Sequence, residues 1–277
     1  MITSIRMRFK NQRVIPICST ILGILFIIAI VAPWIAPHDP IAVNLAYKLQ
    51  SRSWNYPLGT DHLGRCNLSR ILYGARISLG FAMLIFISSL AIGLLIGTFS
   101  GYKGGWVDHV LMRFCDGVMA FPSLILVLGL VGIFGPGLPQ VILALMLVQW
   151  VYYARMFRGM VLSLKEQNFI SAAKISGSSQ WKIIKNHIIP NVLPPLVVMG
   201  TLEMGWAIMD ISAMSFLGLG VQSPTPEWGA MIHEGKSYIR TNPELMLYPG
   251  LSIMLVIVTF NLLGEALSER YGVKRRF

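Results

Sequence analysis

Residues 77–98 read ISLGFAMLIFISSLAIGLLIGT, a stretch without one charged side chain. A bilayer core about 30 Å thick is crossed by roughly 20 apolar residues in an α-helix, so this run is long enough to span it. Moving outward from it, five further runs follow: Ile15 to Ile35, Val118 to Phe134, Leu138 to Tyr153, Val192 to Leu219 and Leu245 to Leu263, of which Val118 to Phe134 and Leu138 to Tyr153 are short, with one broken helix pair as the alternative for them. The whole chain of 277 residues is 55% hydrophobic and 13% charged, well below the quarter or so of charged residues usual in soluble domains. The expected fold is therefore an all-α, polytopic membrane protein with six transmembrane helices, and lipid is its first partner.

Three segments organise the chain: residues 1–76 (a cytoplasmic tail, the first span and a long outer loop), a transmembrane core over 77–267, and a basic cytoplasmic tail over 268–277. The third and fourth runs meet at Gly135, Pro136, Gly137, Leu138 and Pro139, which predicts a tight hairpin at one membrane face. Within 77–101, Ser89, Gly93, Gly97 and Gly101 recur every four residues, placing small side chains on one helix face. That spacing fits close helix approach, and equally fits the general enrichment of glycine in membrane helices.

The formal net charge is +11. Its distribution argues for topology and gives no reason to expect a nucleic-acid partner. Arg6, Arg8, Lys10 and Arg13 precede the first span, and Arg270, Lys274, Arg275 and Arg276 follow the last. By the positive-inside rule both termini are expected in the cytoplasm, with the long loop holding Lys48 to Arg76 outside. The first span resembles a signal peptide in its basic start, but it is too long for an h-region, and we take it as uncleaved. Cys18, Cys66 and Cys115 stand alone, without the spacing of a disulfide framework or a zinc site.

Gly235, Lys236 and Ser237 imitate the end of a phosphate-binding loop. The glycine needed five positions before Gly235 is replaced by Ala230, and no strand leads in. No cofactor and no catalytic residue is therefore assigned, and energy has to come from a partner.

The polar interval Ser163 to Pro190 predicts two short helices. Ser171, Ala172, Ala173, Lys174 and Ile175 form the first, Gly177 supplies a left-handed stop, and Ser178 or Ser179 caps the second. Trp181, Ile184 and Ile188 then share one face at i, i+3 and i+7. Periodicity leaves open whether that face anchors to protein or lies on the membrane surface.

The run Phe169 to Ala173, with Gly177 and then Ile188, Ile189 and Pro190, resembles the EAA loop of ABC importer permeases. Leu58 to Arg65 (LGTDHLGR), with Ser69, Arg70, Gly74, Arg76 and Ser78 after it, and Met214 to Gly229 (MSFLGLGVQSPTPEWG) resemble the peptide and nickel branch of that family, in its second permease. The resemblance runs from the first span to Asn261. It implies a heterodimer with a second homologous permease, two ATPase subunits that bind and hydrolyse ATP, and an outer substrate-binding protein. It assigns ATPase coupling to Ser171, Ala172, Ala173, Gly177, Trp181, Ile184 and Pro190. It also implies that Pro224 to Trp228 shapes the outer mouth and meets the binding protein. Ser171 stands where the family motif has Glu, and Cys66 where the branch usually has Asp.

Glu203, Trp206 and Asp210 fall on one face of the fifth span. Acids at membrane depth face a cavity or a partner helix, because exposing them to lipid costs a few kcal/mol each, so these three are candidates for a translocation pathway. A carboxyl hydrogen-bonded to a neighbouring helix is the alternative for each. The acid at 203, within Thr201 to Gly205, resembles nickel-type permeases more than dipeptide ones. His38, His62 and His233 fall in outer segments, where imidazole could touch nickel. The expected function is uptake of nickel, free or chelated, across the bacterial cytoplasmic membrane. Dipeptide or oligopeptide uptake is the alternative, and a proton-coupled secondary transporter a remoter one.

Overall fold

The computed structural model describes residues 2–271, with side chains from Arg13 onward, so the basic side chains at Arg6, Arg8, Lys10, Lys274, Arg275 and Arg276 lie outside the described residues. The elements are helical: α1 (Ile2–Ile35), α2 (Asn67–Lys103), α3 (Gly105–Met119), α4 (Ser123–Phe134), α5 (Leu138–Lys165), α6 (Asn168–Ile175), α7 (Gln180–Ile183), α8 (Ile189–Phe216), α9 (Trp228–Gly235) and α10 (Glu244–Tyr271). Among the described residues the only β pairing is one isolated bridge, Thr60 to Cys66.

Five helices are long and apolar enough to cross a membrane, and the bent pair α3–α4, which is so when taken together, makes six if it is one broken span. The expected third span, Val118 to Phe134, is not one helix: α3 and α4 meet at a break bent by 87°. Pro122 explains it, since its missing N–H and its ring cannot continue a helix from Met119, and its carbonyl instead starts α4 by accepting from Ile125 and Leu126. The fourth span is longer than its apolar run, because α5 continues through Arg155 and Arg158 to Lys165.

The glycine stripe is a packing device. A Cβ at Gly93 would lie 2.4 Å from that of Tyr153, one at Gly97 would lie 2.2 Å from the Ala154 carbonyl oxygen, and one at Gly101 3.0 Å from that of Arg158. So α2 and α5 touch backbone to backbone, an approach open only to residues without side chains. The Lys165 ammonium reaches the Tyr102 carbonyl at 2.7 Å, which puts the last turns of both helices at the same end of the bundle. Asp108 of α3 seals that end, accepting two 2.6 Å bonds from Arg158 and one from Ser100.

At the opposite end the Gly135–Gly137 hairpin is tied to the exit from α8, where the Gly137 amide donates to the Leu219 carbonyl at 2.9 Å. Gly218, at φ +80°, turns the chain there after Phe216. The cores follow this axis: Leu79, Ile208, Trp228 and Phe260 join α2, α8, α9 and α10, and Phe157, Val161, Ile170, Ile183 and Ile188 join α5 to the α6–α7 loop.

Candidate coupling, outer-loop and pathway sites

In the α6–α7 loop the turn chemistry works as the residue types require. Gly177 adopts φ +77°, and the Ser179 hydroxyl caps α7 by accepting from the Lys182 amide at 3.4 Å. After four residues, α7 widens into a π-turn over Ile184–Ile188, in which the Ile189 amide donates to the Ile184 carbonyl. Pro190 follows at once, and having no N–H to donate, it cannot restore the ordinary ladder. The Asn191 side chain occupies part of the gap, donating to the His187 carbonyl at 2.6 Å.

This wider turn redirects the expected apolar face. Ile183 and Ile188 are buried against α5, Ile184 is half-buried, and Trp181 is 71% exposed. Trp181 therefore does not anchor the loop to its own chain. Ile170 anchors α6, while Ile175 stands 88% exposed. Ser171, Ala172, Gly177 and Pro190 are exposed and Ala173 is half-buried. The loop is held by one set of isoleucines and shows a different apolar set to the outside.

The two outer motifs prove to be one site. Arg65, 1% exposed, donates to Asp61 at 2.6 Å and to Glu234 at 2.6 Å. Arg70, equally buried, lies 3.5 Å from Asp61 and donates to Glu234 at 2.9 Å, and to the carbonyls of Pro40 and Pro224. Beside this network the Glu227 carboxylate caps α9, accepting from Gly229 and Ala230 and from the Ser78 hydroxyl. The Trp228 ring presses against Gly74, where a Cβ would come within 2.8 Å of it, and its Nε1 donates to the Ile71 carbonyl. Gly59 and Gly64 let the loop over 44–66 fold back on itself, a Cβ at Gly64 falling 1.8 Å from the Asn44 carbonyl oxygen.

Glu227 and Trp228 are thus internal, at 0% and 1% exposure. They cannot meet a partner as they stand, and the part of the expected mouth that reaches the surface is Pro224 and Thr225. Sequence reasoning missed Glu234 altogether; the available signal was two arginines that a short motif places side by side and that need acids if buried.

Of the three outer histidines, only His62 lies beside acids. Asp61, His62 and Glu234 are, among the described residues, the one group of three potential metal ligands. Both carboxylates are already taken by guanidinium groups, whose positive charge opposes a cation at that point. Burial pulls the His62 imidazole below its ordinary value, outweighing the opposite pull of Asp61 and Glu234. His38 stacks on Tyr56 and His233 meets the Phe216 carbonyl.

On α8 the two acids part company. Asp210 accepts from Gln149 of α5 at 2.8 Å. Glu203 accepts a longer bond, 3.4 Å, from the Tyr153 hydroxyl, and together with Trp206, 60% exposed, it borders a cavity of about 1320 Å³ between α5, α8 and α10.

Residues 93–273 match the family model described as "Binding-protein-dependent transport system inner membrane component". Residues 2–51 match the "N-terminal TM domain of oligopeptide transport permease C". The nickel transport system permease protein NikC of Escherichia coli K12 is 42% identical over 90% of this chain and 90% of its own length. The chain belongs to this family of ABC importer permeases.

A dipeptide transport system permease, DppC of Alkalihalophilus pseudofirmus, is 37% identical over 97% of this permease and 88% of its own length. The glutathione permease GsiD of Escherichia coli O6:K15:H31 is 38% identical over 96% and 88%. Among solved structures, a chain of the inward-facing MetNI methionine ABC transporter superposes with a TM-score of 0.55 at 19% identity, covering 75% of this permease and 98% of that chain, which shows a shared fold. Membership in the peptide and nickel branch, with its multi-pass placement in the inner membrane, follows from these relatives and from the apolar helices.

Proposed function

We propose that this permease carries nickel, free or chelated, into the cytoplasm, as a non-catalytic subunit driven by ATP hydrolysed on its partners. The partners are a second homologous permease, two ABC ATPase subunits and an outer substrate-binding protein, and both termini of this chain face the cytoplasm. The observation that carries the coupling half of the proposal is the exposed pair Ile175 and Trp181 on an otherwise anchored loop. Covering two such side chains is favourable by about 1.5–3 kcal/mol each, so the loop offers an ATPase subunit a ready apolar contact. Closure of the ATPases would press on this face. Ile170, Ile183 and Ile188 would pass the displacement to α5, and the π-turn would pass it to α8. A secondary transporter has no use for such a face.

The cargo half rests on Glu203, which puts a carboxyl beside the cavity, and on the likeness to NikC. The pathway would follow α8 past Glu203 and Trp206, with Asp210 behind them on Gln149. Peptide uptake is the second reading, favoured by the likeness to DppC over nearly the full chain and by a cavity far larger than a hydrated ion. Cell-associated nickel, measured by elemental mass spectrometry in the native host at limiting external nickel, decides between them. Deletion of the gene is expected to lower nickel and its restoration to recover it; unchanged nickel assigns the permease to peptides.

A further inference from the structure

The cavity between α5, α8 and α10 holds about 1320 Å³, above the roughly 300–1,000 Å³ of ordinary small-molecule sites. Aquo ions, small chelates and short peptides all fit. Size therefore cannot be what discriminates among them, and the chemistry of the wall has to. Much of that wall is apolar, with Met156, Met160 and Met199 among its side chains. Among the described residues the charged groups bordering it are Glu203 and Glu265, and no Lys, Arg or His borders it. Glu265 has partners of its own, so the charge considered is that of Glu203. The Glu203 carboxyl faces this space from among low-dielectric helices, which concentrate its field.

We propose that this cavity is a charge-selecting vestibule in which Glu203 is the specificity-determining residue, admitting solutes that present a positive group and holding back anions. The proposal rests on the reading of α8 as the pathway. Asp210 does not share the role, because Gln149 holds it at 2.8 Å and it does not border the cavity. Tyr153 positions Glu203 without neutralising it, since a phenol donates a hydrogen bond and carries no charge. Trp206, three residues on, is a built-in reporter because its indole borders the same space.

The test uses the assembled transporter in nanodiscs and reads Trp206 fluorescence as the difference from a Trp206→Phe complex. Caesium, iodide and acrylamide serve as cationic, anionic and neutral quenchers. Caesium should quench more strongly relative to iodide in the parent than in Glu203→Gln, by at least about sixfold to tenfold, which is what one unit charge about 6–8 Å away gives for two ions of opposite sign at the dielectric constant of water. Glu203→Asp should retain the preference, and acrylamide should quench all three alike. Gln keeps an acceptor for Tyr153, so a purely structural role would leave the ratio unchanged. An unchanged ratio, an iodide preference in the parent, or a Trp206 that acrylamide cannot reach each overturns the proposal. Uptake of the nickel aquo ion by proteoliposomes of the same complexes separates the two readings. Charge-selective quenching without nickel uptake keeps the vestibule and removes nickel as cargo, whereas nickel uptake with charge-blind quenching does the reverse.

Discussion

The two ends of this permease solve opposite problems. At the outer-motif end Asp61, Arg65 and Arg70 are taken out of water and Glu234 largely so, and the four are satisfied by one another. At the α6–α7 end, large apolar side chains that would normally be inside, Ile175 and Trp181, are left outside. The first end is completed within its own chain, although its surface loop carries the charge that would suggest a docking site. The second end leaves apolar surface that its own chain does not cover. The difference teaches that a partner surface is better located by what the chain leaves unsatisfied than by where its motifs lie, because the motifs of the outer end are spent on internal pairing.

If that contrast is right, the outer end should fail hardest when one member of its network is removed. Arg65→Met leaves buried Asp61 and partly buried Glu234 with a single guanidinium between them; breaking a fully buried pair costs about 3–5 kcal/mol, and partial exposure of Glu234 places this loss toward the lower end. Thermal unfolding of the purified complex in detergent should show a clearly lower midpoint, and Glu234→Gln added to Arg65→Met should recover part of it by removing the uncompensated charge. A midpoint within experimental error of the parent would mean that the network is hydrated and that the two ends do not differ in kind.

A smaller effect sharpens the same end. Cys66 is the N-cap residue of α2, 1% exposed, and its side chain makes no capping bond. Aspartate accepts from the second or third amide of a helix and favours its positive end, worth about 0.5–2 kcal/mol at a well-formed cap. Cys66→Asp, the residue usual in the branch this chain resembles, should therefore raise the midpoint slightly, with Arg65 and Arg70 close enough to tolerate the added charge. A fall instead would show that the guanidinium groups have no charge to spare beyond Asp61 and Glu234.

How much of this was legible before the structure follows from which interactions are local. The spans were legible because about 20 apolar residues in sequence decide them without reference to anything else. Gly177 and Ser179 were legible because a left-handed stop and a cap act within four residues. The break within the third span was not legible because Pro122 sits inside a run whose hydropathy is uninterrupted, so composition locates the span and only the backbone shows the bend. The apolar face of α7 misled because helical periodicity assumes one turn size, and the π-turn before Pro190 changes it. The outer network was out of reach because Arg65 and Glu234 are 169 positions apart, and no pattern within either segment names the other. The stripe Ser89, Gly93, Gly97 and Gly101 was visible but ambiguous until Tyr153 and Ala154 were found against it.

The smallest change in stability is expected at the other end, and there it separates folding from function. Ile175→Ala with Trp181→Ala removes two side chains that are mostly in contact with water, so folding should change by less than about 0.5 kcal/mol, as for surface substitutions generally. Yet those side chains form the apolar contact that an ATPase subunit would cover, so the double variant should lose most of its transport-coupled ATP hydrolysis and should co-purify with less ATPase. Ile183→Ala is the matched control from the anchored set: it opens a cavity against α5 and should lower the unfolding midpoint by the equivalent of about 2–5 kcal/mol. A stability loss in Ile175→Ala/Trp181→Ala as large as in Ile183→Ala would show that the exposed pair packs within its own chain after all. Equal stability with undiminished ATPase association would instead move the docking surface elsewhere on the loop, toward Lys174, Lys182 and Lys185, whose charges would then carry the contact and make it sensitive to salt.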